Sequence, residues 1–363
     1  MTQPEIVPGL VSVMMPAYNA EIYIRQAIDS LLSQTYEQWE LIVVNDGSTD
    51  GTSAVAMSYL DPRIHVVDQE NGGEARARNT ALGLMVGEYI AFLDADDQFL
   101  PHHLETTTNY LNANPDRDGV YTDGYHCDPE GRLLKSLSSR RRESFEGWLF
   151  EQLVRASDVF GPPVCIVLRR QPILEGGLSY DPSIIIGPDW DFNTRYSEFT
   201  SFGAIDRKTC LYRVHKTNIT LRTNPERRYS SLAICRENAI KLASFAKCSL
   251  QTQAYVFYEL LVELLVGHVD RQAEVIQWSE FLTLPAGERA RILRLMATHA
   301  LVDDRSRPYI QRWLDQSHRL DPSNWRTGVL RQINHFSPSL FRTITSHKGK
   351  PTRESPLGDL FVE

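Results

Sequence analysis

The 363-residue sequence is short of the features that mark several protein classes. It has five cysteines, Cys127, Cys165, Cys210, Cys235 and Cys248, and no two of them form a Cys-x-x-Cys pair. Structural zinc and dithiol redox chemistry therefore lack a ligand framework, and an odd number of scattered thiols suits a reducing cytosol. Long apolar runs are missing. The richest stretch, Ala254 to Val269, carries Glu259, Glu263 and His268 and is too short and too charged to span a bilayer. Met1 to Pro8 is polar and contains prolines, unlike a targeting segment. Positive charge is not in excess: the formal net charge is −8, which argues against nucleic acid as the main partner. No Gly-x-Gly-x-x-Gly follows the first apolar segment. Pro16-Ala17-Tyr18 occupies that turn, so nicotinamide and flavin cofactors are not expected. No internal repeat is visible.

What the sequence does contain is ordinary globular texture, 42% hydrophobic and 23% charged, with length for one large or two ordinary domains. Leu10 to Met15 is a buried-strand candidate. Ile22, Ile24, Ala27, Ile28, Leu31 and Leu32 then recur at helical spacing. Strands follow at Trp39 to Val44, Ile64 to Val67 and Tyr89 to Leu93, with helices to about Leu60 and from Glu74 to Met85 between them. Four strand–helix alternations predict a mostly parallel, Rossmann-like α/β sheet flanked by helices. Each strand ends in a polar loop, holding Tyr18, Asp46, Asn71 or Asp94. Such loops converge on one crevice at the C-terminal edge of the sheet.

A hairpin is predicted around Pro129-Glu130-Gly131, and Arg140-Arg141-Arg142 forms a basic run. Pro188 opens a helix, which places Asp189 and Asp191 in its first turn. Past residue 222 the texture changes to amphipathic helices. The expected organisation is residues 1–222 as the α/β domain, 223–334 as a helical C-terminal region and 335–363 as a partly flexible tail.

The chemistry concentrates in Asp94-Ala95-Asp96-Asp97, directly after an apolar strand. Unpaired buried acids are costly, so these belong at the strand's open end. An Asp-x-Asp pair can hold a hard divalent cation beside substrate phosphates.

Val13-Met14-Met15-Pro16-Ala17-Tyr18-Asn19, Val43-Val44-Asn45-Asp46-Gly47-Ser48-Thr49-Asp50, Asn71-Gly72-Gly73 with Ala77-Arg78-Asn79, and Asp94-Ala95-Asp96-Asp97 occur in that order. Gly187-Pro188-Asp189-Trp190-Asp191 and Tyr212-Arg213-Val214-His215 follow. Together, over roughly residues 10–220, they resemble the family-2 inverting glycosyltransferases with the GT-A fold. The resemblance implies a nucleoside diphosphate sugar donor, most readily a UDP-sugar, a saccharide, lipid-linked or other hydroxyl acceptor, and Mn²⁺ or Mg²⁺. It implies work in bacterial surface polysaccharide or glycan biosynthesis, in the cytoplasm or peripherally at the inner face of the plasma membrane.

Carried onto this sequence, the resemblance gives Pro16, Ala17, Tyr18 and Asn19 to the nucleobase loop and Asp46 to a uracil imide N–H. Gly72, Gly73, Arg76, Arg78 and Asn79 fall at the diphosphate and ribose, where glycine permits close backbone approach. Asp94, Ala95 and Asp96 contact donor and metal, with Asp96 the direct metal ligand, Asp94 the second contact, and His215 completing the coordination. Asp189 matches the general base, with Asp191 as the runner-up. This chain has Pro188 where many members have Glu, so no role of that glutamate carries over. The helical region is a candidate for acceptor binding, homodimerisation or membrane docking.

Two other classes remain open: a nucleotidyltransferase, although the loop after the first strand lacks a Gly-rich basic sequence, and a non-catalytic sugar-nucleotide or glycan-binding protein. A processive synthase is disfavoured, because Gln311-Arg312-Trp313 has the wrong spacing for that motif.

Overall fold

The computed structural model describes residues 5–140, 144–299 and 307–346. Arg141, Arg142 and the tail beyond 346 lie outside them. The chain divides into two compact units, one ending at Asn218 and the other beginning at Ile219.

The first unit runs β1 (Val7–Ala17), α1 (Ile24–Leu32), β2 (Trp39–Asp46), α2 (Thr52–Met57), β3 (Ile64–Gln69), α3 (Glu74–Leu84), β4 (Gly87–Phe92), β5 (Gln98–Phe99), α4 (His103–Ala113), β6 (Gly119–Cys127) and β7 (Leu133–Ser136). It continues through α5 (Phe150–Arg155), β8 (Ile166–Arg169), α6 (Gln171–Glu175), α7 (Pro188–Ser197) and β9 (Phe202–Arg213). The sheet order is β3-β2-β1-β4-β8-β6-β9-β5, with β7 paired to β6.

The alternation in the first hundred residues produces what it predicts. β2, β1 and β4 carry apolar runs at their centres, and β1 pairs parallel with β2 and with β4. Val11, Val13, Met14, Met15, Leu41, Val43, Ile90 and Ala91 are fully buried. Each such side chain contributes about 1.5–3 kcal/mol relative to exposure. One face of α1, made of Ile24, Ala27, Ile28 and Leu31, is buried in the same core.

Beyond β4 the sheet is mixed rather than mostly parallel. β8 is antiparallel to both β4 and β6, while β6 and β9 are parallel. A parallel return needs a crossover of a dozen or more residues, usually a helix. Residues 128–165 connect β6 to β8 through β7 and the short helix Phe150–Arg155, and the chain re-enters the sheet reversed. The expected hairpin forms as β6–β7, with Gly131 at positive φ. Phe202 to Arg213 form one strand, β9, whose pairing with β6 absorbs two register shifts.

The second unit is helical: α8 (Ile219–Arg222), α9 (Pro225–Lys241), α10 (Leu250–Val266), α11 (Gln272–Val275), α12 (Ser279–Leu282), α13 (Ala286–His299), α14 (Arg307–Leu320), α15 (Trp325–Phe336) and α16 (Pro338–Ser346). Asn224 caps α9 through Glu226 N at 2.7 Å, and Ser249 caps α10 through Thr252 N at 3.3 Å. Arg236 on α9 is buried between Glu259 and Glu263 of α10. No described helix is long and apolar enough to cross a membrane.

Candidate functional site

The C-terminal ends of β1, β2 and β4 carry the first half of the site. After β1, Tyr18 stands 54% exposed, which removes it from the core and leaves its ring free on the surface. Asn19 sits in the left-handed region at φ 49°, where a short polar side chain is tolerated. It ties its loop to the next one: Thr49 N donates to its Oδ1 at 2.8 Å, and Asn19 N donates to Ser48 Oγ at 3.0 Å. Asp50 accepts from Thr52 N at 3.0 Å and from Glu21 N at 3.2 Å, which satisfies an orphan donor at the start of α2.

Asp46, at the end of β2, is buried and holds the following loop. Its Oδ1 accepts from Gln69 Nε2 (2.7 Å) and Gly72 N (2.9 Å), and its Oδ2 accepts from Gly73 N (2.8 Å). Gly73 at φ 87° turns the chain into α3, and a side chain on Gly47 would reach within 2.7 Å of Asn71 N. The amides of Gly72 and Gly73, expected at a diphosphate, are therefore engaged by Asp46. An ionised carboxylate has about four lone-pair sites, so Oδ2 keeps capacity for one more donor.

Arg78, one turn into α3, departs from the expectation of a phosphate contact. It is fully buried. Nη2 reaches Asp94 Oδ1 and Glu74 Oε1, each at 2.8 Å, and Nε donates to Glu74 at 2.9 Å. Its neighbour Asn79 departs likewise: both ends of its amide bond the Tyr180 backbone, at 2.7 and 2.8 Å. Arg76 is exposed beside Gly72. Only this cation of the expected pair is free to meet an anion, because the 3.6-residue period that turns Arg78 inward turns Arg76 outward.

The acids after β4 take three different positions. Burial pushes the Asp94 carboxyl up to about 7; Arg78 opposes this, while Glu74, Asp96 and Asp189 add to it. Asp96 Oδ2 lies 2.8 Å from His215 Nε2, across 119 residues of sequence. Thr217 Oγ1 lies 2.7 Å from Nδ1 of the same ring, and His215 N donates to Asn218 Oδ1 at 2.6 Å. Asp97 faces inward: its Oδ1 accepts from Arg213 N at 2.9 Å, its Oδ2 has no partner, and burial holds its pKa well above the carboxylate range.

Arg213, at the end of β9, fastens these pieces together. Its Nε donates to the Asp96 carbonyl (2.8 Å), Nη1 to Pro129 O (2.7 Å) and Nη2 to Gln26 Oε1 (2.7 Å). The Tyr23 ring lies 4.9 Å from its guanidinium and 4.8 Å from the His215 ring. Arg213 and Asp97 stood inside quoted motifs, but nothing in spacing assigns them a task. Their signal is a buried cation and a buried acid in adjacent turns, visible only in three dimensions.

The two acids of α7 divide sharply. Asp191 is 1% exposed, and its Oδ2 meets Arg195 Nε at 2.9 Å and Nη2 at 2.6 Å. Asp191 is thus enclosed with its own cation, whereas Asp189 is the acid that keeps exposure. Asp189, in the helix's first turn, is part-exposed. Burial raises its pKa, Glu74 adds to this, and Arg78 and the backbone amides of Trp190 and Asp189 pull it back. The Tyr212 phenol, pushed far up by burial, also feels Asp97, Asp96, Asp94 and Asp189, so the four acids share one neighbourhood.

Among the described residues, no group of three His, Cys, Asp or Glu side chains is arranged to hold a metal alone. Asp94 is bound to Arg78 through Oδ1. Asp96 and His215 do fit a hard dication. Adjacent ligands of an octahedral ion at about 2.0–2.1 Å lie about 3 Å apart. The Asp96–His215 separation is 2.8 Å, and Thr217 can take the Nδ1 proton, which leaves Nε2 its lone pair.

Residues 12–177 match the family model described as Glycosyl transferase family 2. TuaG of Bacillus subtilis (strain 168), a putative teichuronic acid biosynthesis glycosyltransferase, is 47% identical over 105 residues, 28% of this chain and 42% of its own. Among the Rickettsia relatives, all called uncharacterized glycosyltransferases, the aligned part spans 22% to 43% of their length, so this chain matches less than half of each. The structure of S. aureus TarS 1–349 in complex with UDP-GlcNAc is similar at TM-score 0.59 and 17% identity, over 88% of this chain and 92% of that one. The mannosyltransferase PcManGT from Pyrobaculum calidifontis, in complex with GDP-Man and Mn²⁺, is similar at TM-score 0.50 and 21% identity, over 86% and 88%. At these identities the structural likeness is one of fold.

Proposed function

We propose that this chain, whose residues 12–177 match the model of glycosyl transferase family 2, transfers a sugar from a nucleoside diphosphate sugar, a UDP-sugar first, to a hydroxyl acceptor with inversion. The observation that carries the reading is the Asp96–His215 pair at 2.8 Å, with Asp94 and Asp189 in the same electrostatic neighbourhood. The Mn²⁺-bound and UDP-sugar-bound neighbours of the same fold support the metal and the donor class.

The residues divide the work as follows. Tyr18 offers a ring to the base, and Asp46 Oδ2 accepts from the base imide while anchoring the Gly72–Gly73 loop. Asp96 and His215 hold Mn²⁺ or Mg²⁺, which when bound supplies positive charge to the departing diphosphate. Arg78 holds the Asp94 carboxylate and Arg213 the Asp96 main-chain carbonyl, so both residues are positioned before the reaction. The acceptor oxygen attacks the anomeric carbon as the carbon–oxygen bond to the diphosphate breaks, and the acceptor proton goes to Asp189. A carboxylate whose pKa burial has raised takes that proton more readily than an exposed one, and the helix N-terminus keeps enough of it ionised to act. Polysaccharide or glycan synthesis is the setting this chemistry serves.

The test is nucleotide release from a UDP-, GDP- and dTDP-sugar panel with Mn²⁺ and mixed hydroxyl acceptors. Asp189→Asn is expected to keep donor binding and lose turnover by roughly 10²-fold or more. Turnover retained by Asp189→Asn removes Asp189 as the base, and absence of release from every donor removes the transferase reading.

A further inference from the structure

A cavity lies at the opposite end of the sheet from Asp94. It measures about 310 Å³ and is lined by Leu82, Gly83, Ile173, Leu174 and Leu178, with Arg170 among them. Its position follows from register. Arg169 pairs with Tyr89, and Arg170 N donates to Glu88 O at 2.8 Å, which puts Arg170 beside the start of β4, whereas Asp94 follows its end.

Arg170 is 2% exposed, and its Nη1 is buried without a hydrogen-bond partner. No carboxylate among the described residues forms an ion pair with it. Its nearest electrostatic relief is Glu40, which draws its pKa back up against burial. Glu40 itself accepts from Val86 N at 2.9 Å. An uncompensated buried guanidinium is strongly destabilising, so natural sequences retain one where something compensates it. Every other buried arginine at hand has such a partner: Arg78 has Glu74 and Asp94, Arg213 has carbonyls and Gln26, and Arg236 has Glu263.

We propose that this cavity binds a small amphipathic carboxylate, with its carboxyl group on Arg170 and its apolar body against Leu82, Ile173, Leu174 and Leu178. A single planar guanidinium matches one carboxylate, whereas a dianionic phosphate needs more donors than one arginine and these aliphatic walls supply. The cavity is at the small end of ligand-site volumes, which suits a medium-chain acid.

Occupancy also reaches the transferase site through covalent neighbours. Gly177 to Ser179 line the cavity, and the next residue, Tyr180, is latched by Asn79, packs 5.7 Å from the Arg78 guanidinium and stacks on Phe192 of α7. The bound acid would brace the strap that holds both Arg78 and the helix of Asp189.

The experiment is calorimetric titration of the full chain with octanoate, octanol and octylammonium. Octanoate is expected to saturate one site, with octanol and octylammonium at least tenfold weaker. Arg170→Gln should weaken octanoate at least tenfold. Gly83→Leu keeps the arginine and places bulk where an added Cβ meets nothing within 4 Å, so it should fold normally and lose octanoate as well. Octanoate bound equally by wild type and either variant overturns the proposal. So does octanol binding as tightly as octanoate, or no saturable binding of octanoate in the millimolar range.

Discussion

Arg78→Met tests whether the acids of the site are held in place by a buried cation. The substitution keeps the aliphatic stem and deletes the charge that meets Asp94 and Glu74 at 2.8 Å. Removing one member of a buried ion pair costs about 3–5 kcal/mol, because it strands the other charge. Here the partners keep 25% and 29% side-chain exposure, so water screens part of the loss and the lower end, about 3 kcal/mol, applies. The loss should depend on pH. Asp94 is pushed up to about 7, so the folded state keeps a proton that the unfolded chain has lost, and stability falls as pH rises from about 4 to that value. Arg78 is the group that pulls Asp94 down. Without it, protonation persists to higher pH, the fall continues, and the variant is penalised more in alkali than in acid. Urea unfolding of wild type and variant at about pH 5 and about pH 8 measures both effects. A loss below about 1 kcal/mol, or one equal at the two pH values, refutes the reasoning.

His215→Ala should abolish Mn²⁺-dependent donor binding; isothermal titration with and without Mn²⁺ checks it. Gly124→Ala should destabilise by about 1–3 kcal/mol, since the new methyl would lie 2.5 Å from the Cys210 carbonyl on the paired strand; chemical denaturation reads it. Asp123 is held at about 2, because bonds from Ser138, Gly124, Ser136 and Lys208 outweigh the upward push of burial. Its contribution is present above about pH 4 and is lost as pH falls through about 2, so Asp123→Asn should flatten the acid limb of stability against pH.

The first four strands and the helices between them were legible because each apolar run has one period and one purpose. Leu41 to Val44 and Tyr89 to Leu93 are buried on both faces, and α1 shows its core stripe in four residues. Reversal of β8 was not legible, since Val164 to Leu168 reads the same in either direction. In the site, Asp96 and His215 lie side by side, a pairing that only the family resemblance had implied. Arg78, Asn79 and Asp191 are bonded to Asp94 and Glu74, to the Tyr180 backbone and to Arg195. A sequence shows that an arginine lies one turn from a glycine pair, but not which side of the helix faces the core. Arg170 drew no attention at all, because a cation next to Arg169 looks like surface until its burial is known.

The contact between Asp96 and His215 also sets a schedule. The segment matching the family ends at residue 177, yet His215 and the strand that delivers it lie beyond that point. During synthesis, β1 to β4 can assemble while the carboxylate of Asp96 still waits for its imidazole. Closing a loop of 119 residues carries a chain-entropy cost that only the packing of β9 against β6 can offset. A nascent chain released before residue 202 would lack both β9 and His215, so the Asp96 carboxylate would have no imidazole to meet.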